Sequence, residues 1–336
     1  MCKITGNVIA FFVSFLLLSF FSCNNSENLK QKKLELDKKA EAIDNDFKII
    51  RMEVETLSNK IAELYNRQSE ILPSVDTRKY KLESNGVFYK PINDGGSAVF
   101  VSGFYPVNDL IKRIVYFTEP IDTSFKTLVD KYQEIVQIYY NDKYSYNRIY
   151  PFFDVLSQYE AKMDIPSFNF YYLADKKHNP DKKSLWVNEP YVDPAGRGWM
   201  VSAIAPVYVA DSLVGVPGID VTINTITKRY IEDSPNSMYL IVDHTGVIVA
   251  GQEVAFTIFS FPPLYDHKYI ETIKQDTYRK EQYNLSLSKD AAVRQIGQQI
   301  IKSENNQFEI DLKGDKITVL TAHIHELNWY LLEIIK

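Results

Sequence analysis

Between Ile43 and Leu64 the apolar residues recur at alternating steps of four and three: Ile43, Phe47, Ile50, Val54, Leu57, Ile61 and Leu64, with charges between them. This is a helical period with a single apolar seam, and it predicts a long helix over 43–73 that stops at Pro73. Such a seam has two uses: packing on the chain's own core, or pairing with the same helix of a second chain to make a homodimer through 43–64. After Ser84-Asn85-Gly86 the texture changes to short β-branched and aromatic runs separated by Asn, Asp, Gly and Pro, which predicts strands. The runs are 99–101, 114–117, 135–140, 168–173, 199–209 and 213–223. Thr123 to Tyr132 interrupts them with a helical period that puts Phe125, Leu128, Val129 and Tyr132 on one face. A second unit opens near 236 with a strand over 238–242, the turn Asp243-His244-Thr245-Gly246 and a return strand over 247–250. Paired strands over 316–325 and 328–335 close it. Strand, turn, strand, helices and paired strands occur in both halves, so the fold class is α+β, an antiparallel sheet flanked by helices used twice.

The N-terminus adds an address. Lys3 precedes an apolar run from Val8 to Phe21, which is shorter than the roughly 20 residues of a spanning helix. It therefore reads as a cleaved signal over 1–22. Ser22 before Cys23, with leucines upstream, resembles a bacterial lipoprotein signal. The resemblance implies that Cys23 carries the lipid and that the protein sits in the bacterial cell envelope, on the periplasmic face of the outer membrane. Residues 23–42 are polar and charged and read as a tether.

Charge and cysteines narrow the function. With 38 basic and 43 acidic residues the net charge is −5, and no basic stripe occurs, which excludes nucleic acid as a partner. Of the two cysteines one lies in the leader, so neither a disulfide nor a thiolate metal site can form in the mature chain. His323-x-His325 puts two imidazoles on one strand face without a third ligand, so no metal is assigned. Nucleophile elbow, phosphate loop and zinc-protease helix are all missing, which predicts neither a cofactor nor an enzyme.

The stretch WVNEPYVDPAGRGW, Trp186 to Trp199, holds two indoles, a tyrosine and carboxylates inside a Gly- and Pro-rich turn region. Carboxylates suit an ammonium group through charge-assisted hydrogen bonds, and aromatic faces add cation–π attraction. A bland reading stands beside this one: the tryptophans pack the sheet edge while Asp193 caps the turn at Pro194-Ala195-Gly196. Tyr171 and Tyr172 leave opposite faces of a strand, so one of them lines a pocket, and Tyr172 is the candidate. Arg148, in the segment NRIYP, either reaches a ligand anion or pins the bend.

Taken in order, the long helix, the segment IVQIYYNDKYSYNRIYPFFD, the W-x-x-x-P-Y-x-D element, the strand pair ending PVYVADSLVGVPGID and the opening YLIVDHTGVIVA resemble the double Cache family of extracellular sensor domains. The resemblance implies two PAS-like modules on one helix, a membrane-distal ligand-binding module over 74–235 and a membrane-proximal one over 236–336. Carried over residue by residue, Tyr191 and Asp193 of P-Y-x-D and Asp220 of G-x-D fall on ligand-contacting positions, and Trp186 on the lid. Amino-acid-binding members carry an arginine-x-tryptophan segment before the lid. Here the matching piece is HNPDKKSLW, with Lys182 and Lys183 but no arginine, which leaves an amine or another small polar molecule as the ligand. The expected protein is a lipid-anchored small-molecule sensor that passes its signal to a membrane sensor kinase, a chemoreceptor or a transporter. The alternative is a structural lipoprotein that works through its heptad helix without a ligand.

Overall fold

The computed structural model describes residues 7–234, 237–262, 280–302 and 305–336, with side chains of the first helix described from Glu27 onward. The leader and the lipidation position Cys23 therefore lie outside the described side chains. Among the described residues no helix is long and apolar enough to cross a membrane.

One helix, α1, runs from Asn7 to Asn66. It starts well before the expected 43 and ends before Pro73, which sits in a 3-10 turn over Leu72–Ser74. The expected tether is thus helical at least from the point where its side chains are described. Its charges hide Leu36 and Ala40, which continue the seam seven and three residues ahead of Ile43 and are buried with it. Ile43, Phe47, Ile50, Val54, Leu57 and Ile61 are all buried against the chain's own sheets in one continuous core. The seam is spent on the fold; a homodimer through this helix would have to use other residues, of which Leu34, Ile49 and Met52 are exposed.

The first sheet contains β1 (Lys81–Leu82), β2 (Phe88–Tyr89), β3 (Ala98–Val101), β4 (Gln137–Asp142), β5 (Tyr146–Tyr150), β6 (Leu185–Val192), β7 (Trp199–Ile204), β8 (Val207–Val209) and β9 (Ser212–Thr222). Its order is β1-β2-β3-β5-β4-β9-β7-β6, with β8 hairpinned onto β9. The second contains β10 (Tyr239–Asp243), β11 (Ile248–Gly251), β12 (Gln307–Leu312), β13 (Asp315–Ile324) and β14 (Trp329–Ile335), in the order β11-β10-β14-β13-β12. The run β5-β4-β9-β7-β6 repeats that order strand for strand, so the two units share one topology.

Two expected strands are helical. Residues 114–117 end a helix over Asp109–Phe117, whose start is capped by the Asn108 side chain accepting from the Ile111 N–H. Its apolar residues Ile111, Ile114, Val115 and Phe117 follow a helical spacing that a four-residue window conceals. Residues 168–173 form a helical turn over Asn169–Tyr172, so the opposite-face argument applied to Tyr171 and Tyr172 fails.

Alternation sorts the first sheet's side chains into two layers. Ile138 and Tyr140 of β4 face α1, as do Val201 and Ala203 of β7. On the other face, Tyr139, Ile149, Val187 and Ile204 meet the long β5–β6 connection, which covers them with Ile165, Phe170 and Tyr171. The second sheet packs on α1 through Ile241, Ala322 and Leu331 and is covered behind by the helix Ala291–Lys302.

Candidate ligand pocket in the first module

The pocket lies on the sheet face away from α1. β4 supplies Gln137, Tyr139 and Asn141, at spacings of two along one fully buried strand. Asn147 and Ile149 come from the neighbouring β5, and Asp220 from β9. Tyr191 and Asp193 enter from the end of β6, and Tyr159, Met163 and Phe170 of the β5–β6 connection form the roof. Gly218, two residues before Asp220, leaves room for the Tyr139 ring: a Cβ there would stand 2.1 Å from Tyr139 Cζ. The free space is about 30 Å³, enough for a water and little more.

Its polar groups are connected. Gln137 Nε2 donates to Asp220 Oδ2 at 2.6 Å, and Ser202 Oγ donates to Oδ1. With that proton committed, Ser202 accepts from the Tyr191 hydroxyl at 2.6 Å. Asp193 closes its own turn, accepting from the backbone N–H of Ala195 at 2.9 Å and of Arg197 at 3.0 Å. The turn needs left-handed backbone at Gly196 (φ 82°) and Gly198 (φ 92°), which explains its two glycines. Gln137 Oε1 is buried without a hydrogen-bond partner.

Both carboxyl groups are almost fully buried, Asp220 at 1% and Asp193 at 4% exposure. Burial, and after it the charge of Asp193, pushes Asp220 up to about 8. Burial raises Asp193 as well, against the backbone N–H bonds that favour its ionised form. No lysine or arginine lines the pocket. With no basic side chain in the lining, burial keeps the Asp220 carboxyl protonated at neutral pH, and a positively charged guest would favour its ionised form.

Of the six residues singled out in the sequence, Tyr191, Asp193 and Asp220 meet here, and three do not. Trp186 faces the other side of the sheet: its ring packs on Phe47 of α1 with centroids 5.0 Å apart, so it roofs no pocket. Tyr172 is half exposed on its helical turn beside His178. Arg148 is completely buried on the α1 side, donating to Asp122 Oδ1 at 2.9 Å, Val115 O at 2.7 Å and the Tyr146 hydroxyl at 2.6 Å, so it pins the core. Asp193 caps the turn, as the bland reading expects, and also lines the pocket. Gln137, Asn141 and Ser202 escaped the sequence reading. Their signal was present: in QIYYND the polar residues Gln137 and Asn141 share a face with Tyr139, which an apolar core face does not need.

The second sheet offers an internal control. Asp142 at the end of β4 and Asp243 at the end of β10 each close the following turn, with Oδ1 accepting from the N–H two and four residues on. Aligned on these turns and on strand register, Gln137 corresponds to Met238, Asn141 to Val242, Asn147 to Ile248, Ser202 to Val319 and Asp220 to Ile334. The same topology is built with an apolar residue at each of these positions.

No protein-family model matches the chain, and no curated protein matches it. Solved structures match its fold over nearly the whole length. The ligand-binding domain of the Pseudomonas aeruginosa PAO1 amino acid chemoreceptor PctB, in complex with L-Arg, has a TM-score of 0.52 at 14% identity, covering 92% of this chain and 96% of that one. The corresponding domain of PctC from the same organism, in complex with GABA, has a TM-score of 0.51 at 13% identity, covering 93% and 100%. The domain of the Pseudomonas fluorescens chemoreceptor CtaA, in complex with L-isoleucine, has a TM-score of 0.50 at 15% identity, covering 93% and 95%. The fold is that of the double Cache sensor domains. In a double Cache frame the polar pocket belongs to the first module, and the apolar interior just described to the second.

Proposed function

We propose that this chain is an extracytoplasmic small-molecule sensor whose first Cache module takes a small cationic ligand, an amine, an amino acid or a similar polar metabolite. The carrying observation is the contrast between modules. The fold is satisfied by Met, Val, Ile, Val and Ile in the second sheet, so Gln137, Asn141, Asn147, Ser202 and Asp220 are not a requirement of packing. Buried polar groups cost stability unless they are used. Asp193 and Asp220 anchor the ammonium, Tyr139, Tyr159 and Tyr191 surround it, and the amide side chains read its remaining polar atoms. The lining contains no basic side chain to receive a carboxylate, which favours an amine over an α-amino acid. The free space, about 30 Å³, is smaller than any such ligand, so binding requires the lining, Tyr159 and Phe170 included, to move apart. The lipoprotein-like leader ending at Cys23 supports attachment to the envelope, and the signal then passes to a membrane sensor kinase, chemoreceptor or transporter. Burial of the heptad seam in the chain's own core supports the sensor reading over the scaffold alternative.

A thermal-shift screen of amines, amino acids and carboxylates at pH 8.5 tests this reading. Ligand raises the melting temperature of the wild type according to RT ln(1 + [L]/Kd). Asp220→Asn and Tyr191→Phe suppress the shift, whereas Trp186→Phe leaves it in place. A hit that survives both pocket substitutions, or carboxylates as the only hits, would remove the site from consideration.

A further inference from the structure

Two imidazoles outside the pocket converge on one point. His323, near the end of β13, and His325, just beyond it, are two residues apart and leave the same face of the strand, while Ile324 between them is buried toward α1. Their Nδ1 atoms are 2.8 Å apart. The second nitrogen of His323, Nε2, lies 3.0 Å from Asn328 Oδ1. A carbonyl oxygen only accepts, so Nε2 carries the proton of the neutral ring, and Nδ1 presents its lone pair toward His325. Asn328 stands in the left-handed region (φ 53°), and Tyr330, the cross-strand partner of His323, packs on the His323 ring at 4.8 Å. The ring is therefore oriented from two sides, as a metal-bound histidine is oriented through its other nitrogen.

We propose that His323 and His325 chelate a divalent first-row transition metal, with water completing the coordination sphere. The hydrogen shared between the two Nδ1 atoms stands where the ion would bind. Metal–nitrogen bonds of about 2.0–2.1 Å at a tetrahedral angle set the two nitrogens roughly 3.3 Å apart, which small side-chain rotations supply. Imidazole donors select Cu²⁺, Ni²⁺ and Zn²⁺ over Ca²⁺ and Mg²⁺, with Cu²⁺ held most tightly. Among the described residues no third His, Cys, Asp or Glu joins the pair, so the site exchanges its metal readily and is not a structural staple.

The test is a calorimetric titration of the full chain in detergent, without a histidine tag, using CuCl₂, NiCl₂ and ZnCl₂ in turn. Neither histidine is buried, so alanine variants fold, and a melt of each confirms it. The wild type binds one equivalent. His323→Ala and His325→Ala each weaken binding at least about ten-fold, and Asn328→Ala weakens it about ten-fold by releasing the His323 ring. His178→Ala leaves the affinity unchanged. Wild-type affinity in His323→Ala, equal loss in His178→Ala, or no binding by the wild type at micromolar metal would overturn the proposal.

Discussion

Asp220 is where the residue scale is most informative, because folding raises it from an ordinary 3.8 to about 8. Between those values the folded chain keeps a proton that the unfolded chain has released, so stability falls as pH rises through this window and is fullest at its acid end. Asp142, which burial pushes up to about 7, contributes a decline of the same sign that ends sooner. Melts of the ligand-free protein from pH 5 to 9 should therefore show decreasing stability, and Asp220→Asn should flatten the upper part of the curve. The substitution is tolerated because the Gln137 amide can turn over and offer its unpartnered oxygen to the new amide nitrogen. A bound cation reverses the trend, since it stabilises the ionised acid. Arg148 behaves differently. Its partners Asp122, Val115 and Tyr146 line the inner face of the sheet, and Arg148→Ala leaves the Asp122 charge without its cation, held, among the described residues, only by Ser97, in a half-dry setting. We expect a loss of about 3–5 kcal/mol in chemical denaturation, with ligand affinity unchanged in the surviving folded fraction.

At the scale of elements, α1 was legible as a helix because a seam with one period leaves no other choice, yet its partner was not. A stripe that fits a second helix equally fits a sheet, and only the surroundings of Phe47, with Trp186 and Tyr230 on its ring, decide between them. The substitutions that would dissociate a coiled coil should instead unfold this protein. Phe47→Ala is expected to cost about 3–5 kcal/mol through the cavity it leaves. Sedimentation of that variant should report no change in the mass of the folded species. The pocket was half legible. P-Y-x-D and G-x-D marked Tyr191, Asp193 and Asp220, which the fold brings into one lining from the end of β6 and the interior of β9. Trp186 was misplaced because strand parity, which no single residue reveals, sends it to α1 while its neighbour Val187 faces the pocket side. Short segments suffered most: 114–117 and 168–173 carry strand-like residues, but neighbouring turns and caps make them helical.

The whole molecule is held together at a point close to the pocket. Strand β6 has a bulge between Val187 and Tyr191. Within it, Asn188 Nδ2 donates to Leu327 O at 3.1 Å, and Trp329 Nε1 donates to Asn188 O at 3.0 Å. Leu327 lies in the β13–β14 turn of the second module, and Trp329 opens β14. That turn is also fastened to α1: the Glu326 N–H donates to Asp44 Oδ1 at 2.8 Å, and Arg51 pairs with Glu326 at 2.7 Å. Three residues beyond Asn188, the same strand delivers Tyr191 into the pocket, so a displacement of the end of β6 would pull on the second module through a short, half-buried segment. This makes a cooperative prediction. The wild type should unfold in one calorimetric transition that ligand raises as a unit. Asn188→Ala with Arg51→Ala removes two side-chain ties while leaving both cores intact, and each lost bond costs only about 1 kcal/mol. The double variant should split the melt in two, with ligand raising only the transition of the first module. A wild type that already melts in two steps, or a double variant still raised as one unit, would show that the modules communicate through the shared α1 core rather than through this turn.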